Sequence, residues 1–351
     1  MTLSFAELVD MLHVKNRDLL TLIEKRAVFG IFGTGKLAQD CYTQLRKMGH
    51  CASFFVDRNQ DEEMFFEHPL RTIHSLAHSN VPLLIASTWA SEIIRDLRAA
   101  NFNGEVFVID PFVTIFEKMT ETDKQQLLIF FEQLADDESK KILQSLIAFR
   151  CGVGVVHKSN YPQYFCPDMP YISSDVVIDG GAYIGDTIKS LFYENDVSVQ
   201  TVHAFEPDPE NYSLLTHFCK KNNLNVITQQ KGLWSSTQVL GFSNDQIISY
   251  GRKIDAIGSC SIETVSVDEY VKANDIAPTM IKLDVEGAEL QALKGAEQTI
   301  CSLKPKLAIS LYHIHTDLWR LPALLKMMNP DYRFYLGQHR KNWLETVLYA
   351  Q

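Results

Sequence analysis

Val176-Val-Ile-Asp-Gly-Gly-Ala-Tyr-Ile-Gly-Asp-Thr187 runs from an apolar, strand-like segment into an acid, Asp179, and then into the glycines Gly180, Gly181 and Gly185. A strand that ends in a glycine turn and opens a helix lets backbone come close to a cofactor. A carboxylate at Asp179 would repel a pyrophosphate, whereas S-adenosylmethionine brings an ammonium and a sulfonium to the same place. The loop, completed by Ala182, Tyr183, Asp186 and Thr187, therefore favours S-adenosylmethionine over NAD. The next strand reads Val202-His-Ala-Phe-Glu206, followed by Pro207. Glu206 lies about twenty residues past Gly185, the separation at which a carboxylate meets ribose hydroxyls.

Two further blocks follow in order, Phe205-Glu-Pro-Asp-Pro-Glu-Asn-Tyr212 and Ile281-Lys-Leu-Asp-Val-Glu-Gly-Ala-Glu-Leu-Gln-Ala-Leu-Lys-Gly295. Together with the glycine loop they resemble the FkbM-family methyltransferases. The resemblance covers roughly residues 160 to 351, including Gln163-Tyr-Phe165, Pro305-Lys-Leu-Ala-Ile-Ser-Leu-Tyr-His313 and Glu345-Thr-Val-Leu-Tyr-Ala350. One glycine loop is weak evidence; three ordered blocks on successive strand ends are specific. The resemblance implies methyl transfer from S-adenosylmethionine to an oxygen of a carbohydrate or another small metabolite. It places the cofactor against Asp179 to Gly185, Asp186, Thr187, Glu206, Pro207, Gly232, Leu233 and Asp284. Where chains with this ending often carry a basic residue, Gly337-Gln338 stands here, which argues against an anionic acceptor.

Apolar runs alternate with helical ones from Val176 onward: Val176 to Asp179, Val202 to Glu206, Asn225 to Gln229, Met280 to Asp284 and Leu307 to Tyr312 read as parallel strands. Tyr332 to Leu336 and Thr346 to Tyr349 give a closing hairpin, so the expected fold is a class I methyltransferase α/β sheet with an antiparallel C-terminal hairpin. In such sheets ligands sit beyond the carboxyl ends of the strands. Asp284 and His313 both fall there, with Lys282 and Glu286 beside them.

Methyl transfer is an in-line displacement that needs alignment and removal of the acceptor's proton. A neutral imidazole at His313 is the preferred base, with Asp284 orienting it; the alternative is a hydrogen-bonded structural histidine. Glu286 and Glu289 flank a turn at a helix start, where they serve either acid–base work or the helix dipole. Trp234 is a candidate wall for adenine or a core residue, and Tyr164 and Phe165 form a lid over the cofactor or belong to the core. His339, in the hairpin turn, is a weaker candidate for the acceptor pocket. Asp208, followed by Pro209, reads as a helix cap.

Upstream, residues 1–113 read as a helix over Ser4 to Glu24 and a small Rossmann-like unit, with strands Ala27 to Phe32, Ala52 to Val56, Val81 to Ala86 and Glu105 to Ile109. Its turn, Gly33-Thr-Gly-Lys-Leu-Ala38, has a Gly-x-Gly-x-x-Ala form, and Asp57 ends the second strand about twenty residues past Gly35. NAD, a nucleotide-sugar or other phosphate ligand, and a purely structural or dimerising role all remain open for it. Residues 114–159 read as two linker helices, with Asp136 and Asp137 as caps rather than metal ligands. The methyltransferase domain spans 160–351.

A formal charge of −10 and the lack of a Lys/Arg-rich run argue against nucleic acid as the main partner. Seven cysteines without a C-x-x-C pair suggest neither a disulfide framework nor a zinc site, and no metal is inferred. The first 26 residues carry Glu7, Asp10, Asp18 and Glu24, unlike a signal peptide, and no apolar run reaches spanning length. The expectation is a soluble, cytoplasmic enzyme acting on a small-molecule or glycan acceptor, with assembly as a homodimer left open. The alternatives are an NAD-dependent oxidoreductase using the first unit and a catalytically inert cofactor-binding module.

Overall fold

The computed structural model describes residues 3–58, 63–109, 117–195, 197–242 and 260–351. Strands β7 (Val176–Gly180), β8 (Thr201–Phe205), β13 (Met280–Leu283) and β14 (Lys306–Ser310) are buried almost throughout. Strands apolar on both faces need cover on both, which helices supply in a parallel sheet. With β9 (Val226–Gln229), β15 (Phe334–Gln338) and β16 (Thr346–Ala350) they form a seven-stranded sheet of order β15-β16-β14-β13-β7-β8-β9. All pairs are parallel except those made by β16, which runs antiparallel to both β14 and β15. The chain reverses its winding between β7 and β13, so the turns after these strands open on one crevice. This is the expected class I methyltransferase arrangement, although β15 begins two residues later than the sequence suggested.

Helix α7 (Pro209–Lys221) starts as predicted: Asp208 accepts the amides of Glu210 and Asn211, and Pro209 fills the first turn. Helix α1 (Phe5–Glu24) opens with a Ser4–Glu7 capping box. Helices α4 (Glu121–Gln133) and α5 (Asp137–Arg150) follow, capped by Thr120 and Asp136. Leu8 and Val9 of α1, Leu127 and Phe130 of α4 and Leu143 and Ile147 of α5 join one apolar cluster with Ile281 and Ile309 of the seven-stranded sheet. Each such fully buried side chain contributes roughly 1.5–3 kcal/mol, so these helices close one flank of that sheet.

A second sheet contains the expected β1 (Gly30–Phe32), β2 (Phe54–Val56), β5 (Leu83–Ile85) and β6 (Val106–Val108). Two strands escaped the sequence reading, β3 (Met64–Phe65) and β4 (His68–Arg71), because they are short and Pro69 interrupts the second. They complete the order β3-β4-β2-β1-β5-β6, in which only β3 is antiparallel. The unit is thus fuller than the four strands expected. Helix α2 (Lys36–Lys47) follows β1, and α3 (Ala90–Ala99) follows β5.

A small third sheet was also not anticipated: β10 (Gly232–Leu233), β12 (Cys260–Val265) and β11 (Gln238–Phe242), in that spatial order. Among the described residues no helix is long and apolar enough to cross a membrane.

Candidate active site

The register of β7 on β13 sets Asp179 opposite Lys282. Their side chains are 1% and 2% exposed and form an ion pair with Nζ 2.9 Å from Oδ1. The same ammonium donates to the carbonyl of Gly181 at 2.9 Å. Desolvation alone would lower the Lys282 pKa, yet Asp179, Asp284 and Asp186 together raise it, so the residue stays charged. Lys282 therefore fastens the glycine loop from below. The enclosed ammonium supports a positioning role in place of the catalytic one expected of Lys282, and it means that Asp179 already faces a cation of the protein.

Gly181 has φ +75°, and a Cβ there would run into the backbone carbonyl of Asp284. The glycine is needed because the loop lies directly on the end of β13, not because a ligand fills that space. Gly185 has φ +93° and precedes the short helix α6 (Asp186–Lys189), with Phe218 and Leu215 over its α-carbon. Tyr183, 51% exposed, sends its amide to Glu206 Oε2 at 2.9 Å, while Glu206 Oε1 accepts the amide of Asp208. Burial raises the Glu206 pKa. Asp186 is exposed, Thr187 and Ala182 are buried, and Pro207 is half-buried beside Glu206. Leu233, next to Gly232, packs under the loop close to Gly180.

Beyond β13 and β14 the carboxylates converge on His313. Its Nδ1 lies 2.7 Å from Glu289 Oε1; its Nε2 lies 3.4 Å from Glu286 Oε2 and 3.5 Å from Asp284 Oδ1. Burial alone would lower the imidazole pKa, but Glu289, Glu286 and Asp284 overcome it and raise it to about 10. The imidazole is therefore protonated near neutral pH. This corrects the expectation of a neutral imidazole as base: its three acid neighbours hold the proton on.

Asp284 has the opposite environment. Burial would raise its pKa, but Lys282, His313 and two phenols lower it. Tyr164 donates to Oδ2 at 2.7 Å and Tyr312 to Oδ1 at 2.9 Å. Burial pushes Glu286 up to about 8, with Asp284, Glu289 and Glu206 adding to the rise and His313 opposing it. Glu286 is a third exposed and has φ +56°, a left-handed conformation that costs energy for a residue with a side chain. Tyr164 and Tyr183 share that conformation, with φ of 69° and 48°. Asp284, Glu289 and His313 each offer an atom within 4.8 Å of the others, a spacing that would suit a metal ion.

Residues 179–342 match the family described as the methyltransferase FkbM domain. Over these residues the chain is similar to the FkbM methyltransferase domain. Across 154 residues it is 36% identical to the hexuronic acid methyltransferase AglP of Haloferax volcanii, which is 40% of this chain and 63% of that protein. The match thus spans less than two thirds of the relative's length. The crystal structure of methyltransferase FkbM from Methylobacillus flagellatus superposes with a TM-score of 0.69 at 21% identity, covering 99% of this chain and 98% of that one. The fold, N-terminal unit included, is therefore shared with that protein.

Within residues 179–342 the structure brings Asp179, Lys282, Asp284, Glu286 and His313 together, along with the loop from Gly180 to Gly185. Sequence reasoning undervalued Glu289, which is fully buried and holds the imidazole as well as the Val285 amide. It missed Tyr312. Tyr164 is 5% exposed and joins the core beneath Asp284, so it forms no lid. His339 stands apart from the cluster: it is 7% exposed, burial lowers its pKa to about 4, and Nε2 lies 3.2 Å from the Tyr349 hydroxyl. Gln338 is fully buried and ties its amide to the carbonyls of Asn342 and Leu344. Its side chain thus pins the hairpin loop.

Proposed function

We propose that this protein transfers the methyl group of S-adenosylmethionine to a hydroxyl oxygen of a carbohydrate, with a uronic acid sugar as the acceptor class. The acid cluster carries this reading. Asp284, Glu286 and Glu206 lie at this crevice with His313 as the cation beside them, its ring held by the buried Glu289, and Glu286 and Glu206 have raised pKa values. Such a crevice suits a ligand that brings positive charge, and Glu206 at the end of β8 suits its ribose end. When bound, S-adenosylmethionine supplies an electrophilic methyl on a sulfonium.

The chain's own residues then position the acceptor and take its proton. Glu286, raised to about 8, has the affinity a general base needs near neutral pH. It is also the most exposed of the carboxylates around His313. The His313 imidazolium stabilises the carboxylate form of Glu286, and Glu289 fixes the ring through Nδ1. Asp284, with both oxygens engaged by phenols, orients rather than accepts. A carboxylate acceptor would need no base, so this arrangement favours a hydroxyl. The carbohydrate class rests on the relationship to AglP, and neither the oxidoreductase nor the inert alternative is favoured by the FkbM match.

Calorimetry with S-adenosylmethionine and S-adenosylhomocysteine tests the cofactor assignment. The sulfonium should bind more tightly than the neutral thioether above pH 8, with the difference shrinking as Glu286 takes up its proton at lower pH. Absence of binding by either compound refutes the reading.

A further inference from the structure

The second sheet has its own crevice, where the chain reverses between β1 and β5. A cavity of about 360 Å³ lies there, lined by Gly33, Thr34, Gly35, Asp57, Trp89 and Leu344 among others. Helices α2 and α3 both begin at it, and neither has a side-chain cap: Gly35 and Trp89 occupy the cap positions without a cap hydrogen bond. Two sets of unsatisfied helix amides thus meet one cavity, a setting that favours an anion.

Gly35 gives an independent indication. Its φ is −69°, open to any residue, and nothing lies within 4 Å of where a Cβ would stand. The fold asks for no glycine at that point, in contrast to Gly33, whose φ of +116° and closeness to the Ala86 carbonyl demand one. A bare backbone facing open space at a helix start leaves room for a ligand to approach. Asp57 ends β2 with Oδ2 accepting the Thr34 hydroxyl at 2.6 Å, so its carboxylate is held at the position from which an acid reaches ribose hydroxyls. Trp89 is 62% exposed at the rim and offers an aromatic face. Lys36, paired with Asp40 at 2.9 Å, supplies a cation beside the loop.

From this geometry we infer that the N-terminal cavity binds a single nucleoside diphosphate, with phosphates at the α2 and α3 amides, ribose at Asp57 and base against Trp89. The volume stands at the lower end of ligand pockets, which span roughly 300–1,000 Å³; it suits one nucleotide better than a dinucleotide. The same chemistry is offered by a free nucleoside diphosphate and by one carrying an activated sugar. The cavity also belongs to the whole molecule, because Leu344 reaches it from the β15–β16 loop, whose Trp343 is buried against Phe149.

The test is calorimetry on the full chain with UDP, ADP, GDP, CDP and a UDP-hexose, in the presence of saturating S-adenosylhomocysteine. At least one nucleotide should bind with a dissociation constant below about 1 mM. Gly35→Leu should weaken it at least about tenfold while leaving the thermal midpoint and S-adenosylhomocysteine affinity unchanged, since the new side chain enters empty space. Asp57→Asn should weaken it by about tenfold through the ribose contacts. Tighter binding of the UDP-hexose than of UDP identifies the sugar-carrying form; the reverse identifies the free nucleotide; either supports the site. Failure of all five compounds to bind, displacement by S-adenosylhomocysteine, or unchanged affinity in Gly35→Leu overturns it. Because S-adenosylhomocysteine binding is read separately, failure here leaves the methyl-transfer reading standing.

Discussion

Glu289→Gln should uncouple the charge of His313 from the fold. The two side chains are 0% and 1% exposed and meet at 2.7 Å, so the substitution removes a buried counter-charge while keeping the shape. Loss of one partner of a buried pair costs about 3–5 kcal/mol. With Glu289 gone, burial regains its hold on the imidazole, and the pKa falls from about 10 toward or below the ordinary 6.5. The direction of the pH dependence follows. A group whose folded pKa is raised contributes stability that is fully present below its unfolded value, here 6.5, and lost as pH rises through about 10. The gap between parent and variant should therefore be widest below pH 6.5 and narrow toward pH 10. Urea denaturation at both ends of that window, with NMR titration of labelled histidine, reads both quantities. A variant in which His313 still titrates near 10, or a stability gap equal at both ends, refutes the electrostatic account of this cluster.

Glu286→Gln should lower methyl transfer about 10²- to 10⁴-fold and abolish the decline of rate expected of the parent as pH falls through about 8; single-turnover rates across pH decide this. Gly181→Ala should destabilise the protein by about 2–5 kcal/mol, the sum of left-handed strain and displacement of the Asp284 carbonyl. Gly35→Ala should stay within about 0.5 kcal/mol, and denaturation of the pair checks the contrast.

The seven-stranded sheet was legible because its strands are continuous apolar runs ending in acids and glycines, a pattern that periodicity and spacing both register. Asp208 could be read as a cap from Asp-Pro alone. The strands β3, β4 and β10 were not legible because they are only two to four residues long, and β11 and β12 because polar residues and glycine interrupt their apolar runs. The residues at the site were identifiable by type and rim position, but their charge states were not. His313 reads as an ordinary imidazole until two carboxylates from the turn after β13 and one from the helix Glu289–Lys294 are seen around it. Lys282 likewise reads as a catalytic lysine until the register sets it against Asp179. The role of Tyr164 required a contact spanning 120 residues of sequence, which no local pattern encodes.

The central claim is methyl transfer to a sugar hydroxyl with Glu286 as proton acceptor. The most direct measurement is mass spectrometry of uronic-acid-containing glycans and neutral sugars incubated with the protein and methyl-labelled S-adenosylmethionine, with the Glu286→Gln variant in parallel. The account predicts labelled methyl ether on a ring hydroxyl of the uronic acid with the parent protein, and a deep loss of product with the variant. Label found only as a carboxylate methyl ester, or formed equally well by Glu286→Gln, would contradict it.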